Sequence, residues 1–455
     1  MSTVTDKRAT GPVAAFMRPI NTLVERYIPS ALVFVIVLTL VVAVLALTLT
    51  EAGPVDVIRS WGDGLAGLLA FMTQMALVLL LGHALANTSP VHRLLTRLGS
   101  IPRTPMQAYL FVFVVASLAA LITWGLGLVV GGLLAKEVAA QLRARGVKLH
   151  FPLLVAAGYS GFVVWHMGYS GSGPLTAATE GSFLAEQLGR TIPLSETMFS
   201  PWNIAAAGAT IVVVALALAL VAPKRNAAIF ELEFDAREQI VEEEAVVTPA
   251  DKLDASRFLT LLVGLALVAY LMIHFSEGGT LTLDIVNWSF LALIFLLVRN
   301  PFELIRLTKN AAANVGDILL QFPLYAGILG MMVGSGLIGV FSDFFVNVST
   351  PQTFGMMALL SAGLVNFFVP SGGGQFAVQG PIMLDAAGRL GVDPSVAIMA
   401  VSYGDQWTNM IQPFWALPLL AIAGLKMRDI LGYTTVTFLA AGLVFCATML
   451  IVGAG

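Results

Sequence analysis

Long apolar runs joined by short polar connections recur along the whole of this 455-residue chain. They fall at about 28–50, 65–87, 105–123, 151–168 and 201–222, then 257–275, 284–299, 316–340, 353–369, 393–412 and 429–453. Each approaches the ~20 residues a helix needs to cross a bilayer. Two further stretches, 124–145 and 370–390, are glycine-rich, shorter and less uniformly apolar, which predicts hairpins or broken helices. The pattern predicts an all-α polytopic membrane protein with about 11 transmembrane spans and two such breaks.

Composition agrees and removes alternatives. The chain is 58% hydrophobic and 11% charged, whereas a soluble domain carries about 25% charged residues. It cannot cover its surface with polar groups, so its solvent is lipid. A net charge of −3 without a basic stripe excludes nucleic acid as a partner. The single cysteine, Cys446, lies inside an apolar run and offers neither a disulfide framework nor a thiolate metal site.

Residues 1–27 are polar and basic, too long a lead for a cleaved signal peptide, and read as a cytoplasmic tail. The strongly charged stretch 223–256, with its acidic run Glu242 to Glu244, reads as a solvated cytoplasmic linker. It separates a first transmembrane repeat, 28–222, from 257–455, which holds an extra span and a second repeat. Lys7, Arg8, Arg18 and Arg26, then Arg93, Arg97 and Arg103, Arg143, Arg145 and Lys148, and Arg299, Arg306 and Lys309 belong on the cytoplasmic side. That puts the N-terminus inside.

The two halves carry sparse identities in the same order. Segment 60–82 matches 314–336, segment 123–142 matches 369–388, and 156–175 matches 400–419, with Tyr159 opposite Tyr403 and Pro174 opposite Pro418. With one extra span between them, the second copy is expected upside down. Inverted repeats with interrupted helices at the midplane are a recurrent design of secondary transporters.

Irregular backbone at membrane depth persists only where protein or a water-filled cavity satisfies it. The string Pro370, Ser371, Gly372, Gly373, Gly374, Gln375 disfavours an uninterrupted helix. It can present free N–H groups at the start of the helix that follows, an anion site with a positive dipole end. Ser371, Gln375 and Gln379 add polar side chains. Close packing is the simpler role for such glycines. That role competes more strongly at the looser set Gly125, Gly127 and Gly131, beside Trp124.

Asp405 lies in an apolar region, where a charge at a span's centre costs about 2.5–3.5 kcal/mol on insertion scales. It must be protonated, ion-bound or wet, and each state suits a coupling-ion site, Na⁺ near Asp405 included. A carboxylate capping its own helix end is the plainer reading. Thr408, Asn409 and Gln412 stand ready to orient a small polar ligand, and Trp407 to supply an apolar wall. His166, beside Ser170 and Ser172, is a candidate proton carrier. Lys136 and Glu137 read as a salt-bridged pair at the cytoplasmic rim. Ser160 and Ser170 each sit in a GYSG string, the pattern of an intramembrane serine protease. Such a serine needs a positioned base; His166 is too local for that, and His274 ends a span near the outer surface. No phosphate loop or cofactor motif appears, so ATP is not the energy source within this chain.

PSGGGQFAVQGPIM followed by SYGDQWTNMIQPFWALPLL, with WGLGLVVGGLLAKEVA and GYSGFVVWHMGYSGS in the first half, resembles the short-chain fatty acid transporter family over nearly the whole chain. The resemblance implies uptake of acetoacetate, butyrate or similar monocarboxylates by H⁺ or Na⁺ symport. It also implies a homodimer with an elevator-like moving domain in the bacterial inner membrane. On that basis the substrate carboxylate is expected at Ser371, Gly372, Gly373, Gly374 and Gln375, with Gln379, Thr408, Asn409, Trp124, Gly125 and Ser160 nearby. The tail is expected against Trp407, and Asp405 or His166 is expected to handle the ion. Phe376 stands where many relatives are expected to carry tryptophan, so substrate preference differs if that position touches the acyl chain. A dicarboxylate or peptide-like acid on the same scaffold is the main alternative.

Overall fold

The computed structural model describes residues 31–223, 248–313, 315–366 and 371–454. The N-terminal tail expected at 1–27, most of the charged linker and Pro370 lie outside the described residues.

Ten of the eleven apolar runs each coincide with one helix, within a few residues at its ends, whereas 316–340 holds Gly316–Ser335 and the start of Leu337–Val348, divided at Gly336. Many helices begin at a proline, as at Pro105, Pro201, Pro301, Pro351, Pro394 and Pro413. Proline's missing N–H costs nothing in the first turn, and its fixed φ suits a helix start. Thr104, Ser200, Asn300 and Asp393 cap four of these starts with their side chains. Among the described residues, eight helices are long and apolar enough to cross a bilayer unaided. Shorter amphipathic helices, Pro54–Gly64, Ser89–Gly99 and Pro301–Ala312, lie between them and were not foreseen from the apolar pattern.

The glycine-rich stretches prove to be arms of hairpins. Pro105–Ile122 and Trp124–Ala144 pack together and are separated only by Thr123, which is extended at φ −155° and ψ 137°. In the second half, Pro351–Asn366 ends ahead of Ser371, and Gly372–Leu390 then runs unbroken. The breaks therefore precede the glycines, which occupy the first turns of the second arms. Glycine's role there is close approach: a Cβ on Gly131 would lie 2.7 Å from the carbonyl oxygen of Gly158, and one on Gly158 equally close to that of Gly131.

The order of elements repeats. Pro54–Gly64, Leu69–Ala86, Ser89–Gly99 and the first hairpin are followed by Phe151–Ser160, which tightens into a 3₁₀ turn over Gly161–Met167. Pro301–Ala312, Gly316–Ser335, Leu337–Val348 and the second hairpin are followed by Pro394–Thr408, which tightens at Asn409–Ile411. Contacts across the halves come in swapped pairs. Pro54–Gly64 packs on Gly316–Ser335 as Pro301–Ala312 packs on Leu69–Ala86. Trp124–Ala144 meets Pro413–Ala423 as Gly372–Leu390 meets Ser172–Ala178. Such reciprocity is the mark of a pseudo-two-fold relation.

Burial separates core from lipid-facing elements. The segment Phe151–Ala178 is buried throughout except for the half-buried Tyr169, whereas the Arg257–Ser276 span is mostly exposed. The two helices that tighten into 3₁₀ turns thus lie in the protein's centre, where their irregular ends meet.

Candidate functional site

At that meeting point Asp405 and His166, both fully buried, face each other with Oδ2 and Nε2 3.6 Å apart. This exceeds hydrogen-bond distance. Asp405 comes from the last turn of Pro394–Thr408, and His166 from the 3₁₀ turn of the first half. The only side-chain hydrogen bond that the Asp405 carboxylate receives from the described residues comes from Asn409 Nδ2 to Oδ1, at 3.2 Å. Gln406 Oε1 accepts from the backbone N–H of His166 at 3.0 Å, so the two halves are stitched beside the pair.

Asn366, at the end of the first arm of the second hairpin, organises the Asp405 turn. Its Nδ2 reaches the Asp405 carbonyl at 2.9 Å, the Thr408 hydroxyl at 2.9 Å and Asn409 Oδ1 at 2.7 Å. Gln412 Nε2 donates to the Asn366 carbonyl at 2.8 Å, and the Tyr159 hydroxyl donates to the Asn409 carbonyl at 2.6 Å. Gln375 Nε2 donates to the Ala362 carbonyl at 2.8 Å and to Gln379 Oε1 at 3.1 Å. Gln379 Nε2 then donates to Ser361 at 3.0 Å.

The second hairpin tip closes on His166. A Cβ on Gly372 would stand 2.6 Å from His166 Nε2 and 2.7 Å from the Trp165 ring, so glycine is what lets the tip approach. Ser371 caps the helix, accepting from Gly374 N–H at 3.3 Å. The N–H groups of Gly372 and Gly373 have no acceptor within the helix. Of the two, Gly372 lies against the imidazole and Gly373 against Phe71 and Phe322, both at the positive end of the helix dipole.

Several buried polar atoms here have no hydrogen-bond partner among the described residues. They are both ring nitrogens of His166, Asp405 Oδ2, Gln406 Nε2, Gln375 Oε1, Asn366 Oδ1 and Gln412 Oε1. Buried polar groups are normally satisfied, and a cluster that is not marks a place built for something else. A carboxylate held out of water with an unpartnered oxygen calls for a proton or a cation. The wall is aromatic: Trp165 stacks on Phe162 with centroids 5.6 Å apart, and His166 lies over Phe376 at 6.0 Å.

The structure thus gathers Asp405, His166, Thr408, Asn409, Gln375, Gln379 and the Ser371–Gly374 turn. Trp124 joins at the edge: its ring lies 6.3 Å from that of Trp165, and its backbone N–H donates to Ser170 Oγ at 3.2 Å. Gly125 packs against the backbone of Gly82 and His83, away from the pair. Trp407 also points elsewhere. It stacks on Phe438 at 4.4 Å and donates to the Phe438 carbonyl at 2.7 Å. The hydroxyl of Ser160 pairs with Thr437 at 2.7 Å.

Asn366, Gln406 and Trp165 are cluster members that sequence reasoning did not select. The signal available for Asn366 was a lone amide at the end of an apolar run, just ahead of the break. Glu137 is held by Gln141 Nε2 at 3.0 Å and, among the described residues, forms no salt bridge with Lys136. Neighbours in sequence do not face each other on a helix.

With this geometry in place, comparison with known proteins identifies the scaffold. The short chain fatty acid transporter family model matches residues 13–452. A provisionally named short-chain fatty acid transporter of Escherichia coli (strain K12) is 42% identical over 442 residues, covering 96% of this chain and 98% of its own. Its provisionally named counterpart in Haemophilus influenzae (strain ATCC 51907 / DSM 11121 / KW20 / Rd) is 37% identical over 451 residues, covering 97% and 99%. Among solved structures, the Alcanivorax borkumensis YdaH transporter superposes with a TM-score of 0.58 at 17% identity, over 92% of this chain and 98% of that one, a likeness of fold alone. The relatives are transporters, which sets the protease reading aside, and neither Ser160 nor Ser170 hydrogen-bonds to His166. This chain is a multi-pass membrane protein and belongs to the short-chain fatty acid transporter family.

Proposed function

We propose that the protein is a secondary active transporter that carries a short-chain monocarboxylate, such as acetoacetate or butyrate, into the cell together with H⁺ or Na⁺. The observation that carries this reading is the Asp405–His166 pair. It is fully enclosed, contributed by both halves, and leaves Asp405 Oδ2 and both imidazole nitrogens without hydrogen-bond partners among the described residues.

A short-chain acid has a carboxyl pKa near that of glutamate, about 4.3, and crosses as an anion at neutral pH. Driving that charge into a negative cell costs about 2.3 kcal/mol per 100 mV. A cation bound with it removes the penalty. The carboxylate oxygen of Asp405 and the amide oxygens of Asn366, Gln412 and Gln375 are the ligand type that hard cations take, and His166 is suited to a proton. The substrate carboxylate binds at the N–H groups of Gly372 and Gly373, next to the ion. Neither partner then crosses as an uncompensated charge.

The remaining parts of the reading are a homodimer and the bacterial inner membrane. The lipid-facing Arg257–Ser276 span supports a bilayer setting.

The test is uptake of labelled butyrate into proteoliposomes with H⁺ and Na⁺ gradients imposed separately. Accumulation above the equilibrium level under one gradient supports symport and names the ion. Purely downhill movement, indifferent to both gradients, overturns it.

A further inference from the structure

Tyr159 and Tyr403 stand opposite each other in the aligned repeats, and both are fully buried. Neither hydroxyl serves its own half. Tyr159, on Phe151–Ser160, donates to the carbonyl of Asn409 at 2.6 Å, in the turn that follows Asp405. Tyr403, on Pro394–Thr408, donates to Asn203 Oδ1 at 2.7 Å. Asn203, also fully buried, passes the contact on: its Nδ2 donates to the carbonyl of Met167 at 3.1 Å and to that of Met198 at 2.7 Å. Met167 follows His166 and closes its 3₁₀ turn. Gln406, beside Asp405, adds a third strut by accepting from the His166 backbone N–H at 3.0 Å. The helix that carries Asp405 thus holds the turn of His166, and the helix that leads to His166 holds the turn of Asp405.

These struts bear on the gap between the pair. A buried carboxylate and imidazole free to move would close to a hydrogen bond, because a buried polar group left without a partner is costly. At 3.6 Å, with Asp405 Oδ2 and both ring nitrogens lacking hydrogen-bond partners among the described residues, they have not closed. Packing accounts for the tyrosine rings, since Tyr403 lies 4.8 Å from Phe445 and Tyr159 6.2 Å from Phe162. It does not account for two buried hydroxyls, each aimed across the repeat boundary at the other half.

We infer that Tyr403 with Asn203, and Tyr159 on the other side, are positioning residues that fix the gap between His166 and Asp405. A proton or cation fills that gap, and direct contact between the two side chains would abolish it. This role rests on the coupling function proposed above for the pair. The three residues act through the main chain of the two turns.

The experiment measures labelled butyrate uptake in proteoliposomes at saturating butyrate, varying the external concentration of whichever ion, H⁺ or Na⁺, drives wild type. Tyr403→Phe, Asn203→Ala, the double variant and Tyr159→Phe are compared with wild type, and melting temperatures are taken in detergent. Phenylalanine keeps the ring and removes one hydroxyl. Tyr403→Phe should raise half-saturation for the ion roughly five- to tenfold, the scale of one buried hydrogen bond, and leave that for butyrate within about twofold. It should add nothing further in the Asn203→Ala background, because the hydroxyl acts through that amide. Tyr159→Phe should show the same split between ion and butyrate.

Lower melting temperatures with unchanged half-saturation for the ion would mean a packing role and overturn the inference. A Tyr403→Phe effect that persists in full without the Asn203 amide would overturn the relay. If Asn203→Ala does not fold, the two phenylalanine variants decide the matter. Ion-driven uptake in wild type, with variants that match its ion dependence, overturns the positioning role alone. Wild-type uptake indifferent to both ions overturns the coupling function and the positioning role with it.

Discussion

Asp405 and His166 are separated by more than half the chain, yet their side chains stand 3.6 Å apart with no water-exposed surface on either. Each is presented by a helix that loses its regular hydrogen bonding nearby, where Gly161–Met167 and Asn409–Ile411 tighten into 3₁₀ turns. Putting a carboxylate and an imidazole at paired helix ends gives the centre of the protein a site that one proton or cation can neutralise. From this relationship the first expected outcome follows.

Asp405→Asn keeps the shape and the Asn409 contact region but removes the charge. Accumulation driven by the coupling gradient should disappear, while exchange of internal for external substrate persists at a reduced rate. The accumulation ratio of labelled butyrate measures this, and a ratio equal to wild type would exclude Asp405 from coupling.

Ser371→Ala removes the cap on Gly374 N–H, a loss of about 1 kcal/mol in typical helices. Gly373→Ala places a methyl 3.0 Å from the Phe71 ring and 3.1 Å from that of Phe322. Both should weaken half-saturation for butyrate several-fold by disturbing the turn proposed to hold the carboxylate. Unchanged affinity in both variants would place the carboxylate elsewhere.

Trp407→Phe tests the opposite expectation. Since Trp407 stacks on Phe438 and bonds to its carbonyl, the change should cost about 1 kcal/mol from the lost hydrogen bond and lower the melting temperature in detergent. Affinity for butyrate should stay within a factor of about two, because the Asp405–His166 pair lies on another face of the helix. A large affinity loss at normal stability would return Trp407 to the substrate site.

Gly158→Val drives a branched side chain into the backbone of Gly131, whose carbonyl oxygen would be 2.7 Å from the new Cβ. Overpacking of this kind costs about 1–3 kcal/mol, occasionally more. Thermal unfolding followed in detergent should show the drop, with Gly158→Ala intermediate between wild type and valine.

Much of this arrangement was legible along the chain. Every apolar run became helical, because in lipid a segment must satisfy its own backbone and the helix does so locally. The prolines at 105, 201, 351 and 394 stand at helix starts, where a missing N–H and a fixed φ cost nothing. The order of breaks in the two halves suggested the repeat, and PSGGGQ with SYGDQWTN supplied candidate residues that the fold brings close together. Thr123 and Ser371 were harder to place. Whether a glycine-rich stretch bends within itself or beside itself depends on which neighbour needs the close approach, and Gly131 met Gly158 only in the fold.

Sequence alone determined that this chain lives in a bilayer, that it is helical, that it is built twice, and that Asp405 could not stand uncompensated. Each follows from local properties: hydropathy, helix propensity and the cost of a charge in an apolar run. Tertiary structure decided which residues share the site. It joined His166 to Asp405 and brought Asn366 into the Asp405 turn. It turned Trp407 and Ser160 toward other helices. Those facts depend on distances between residues far apart in the chain, and packing sets such distances only when all the helices are in place.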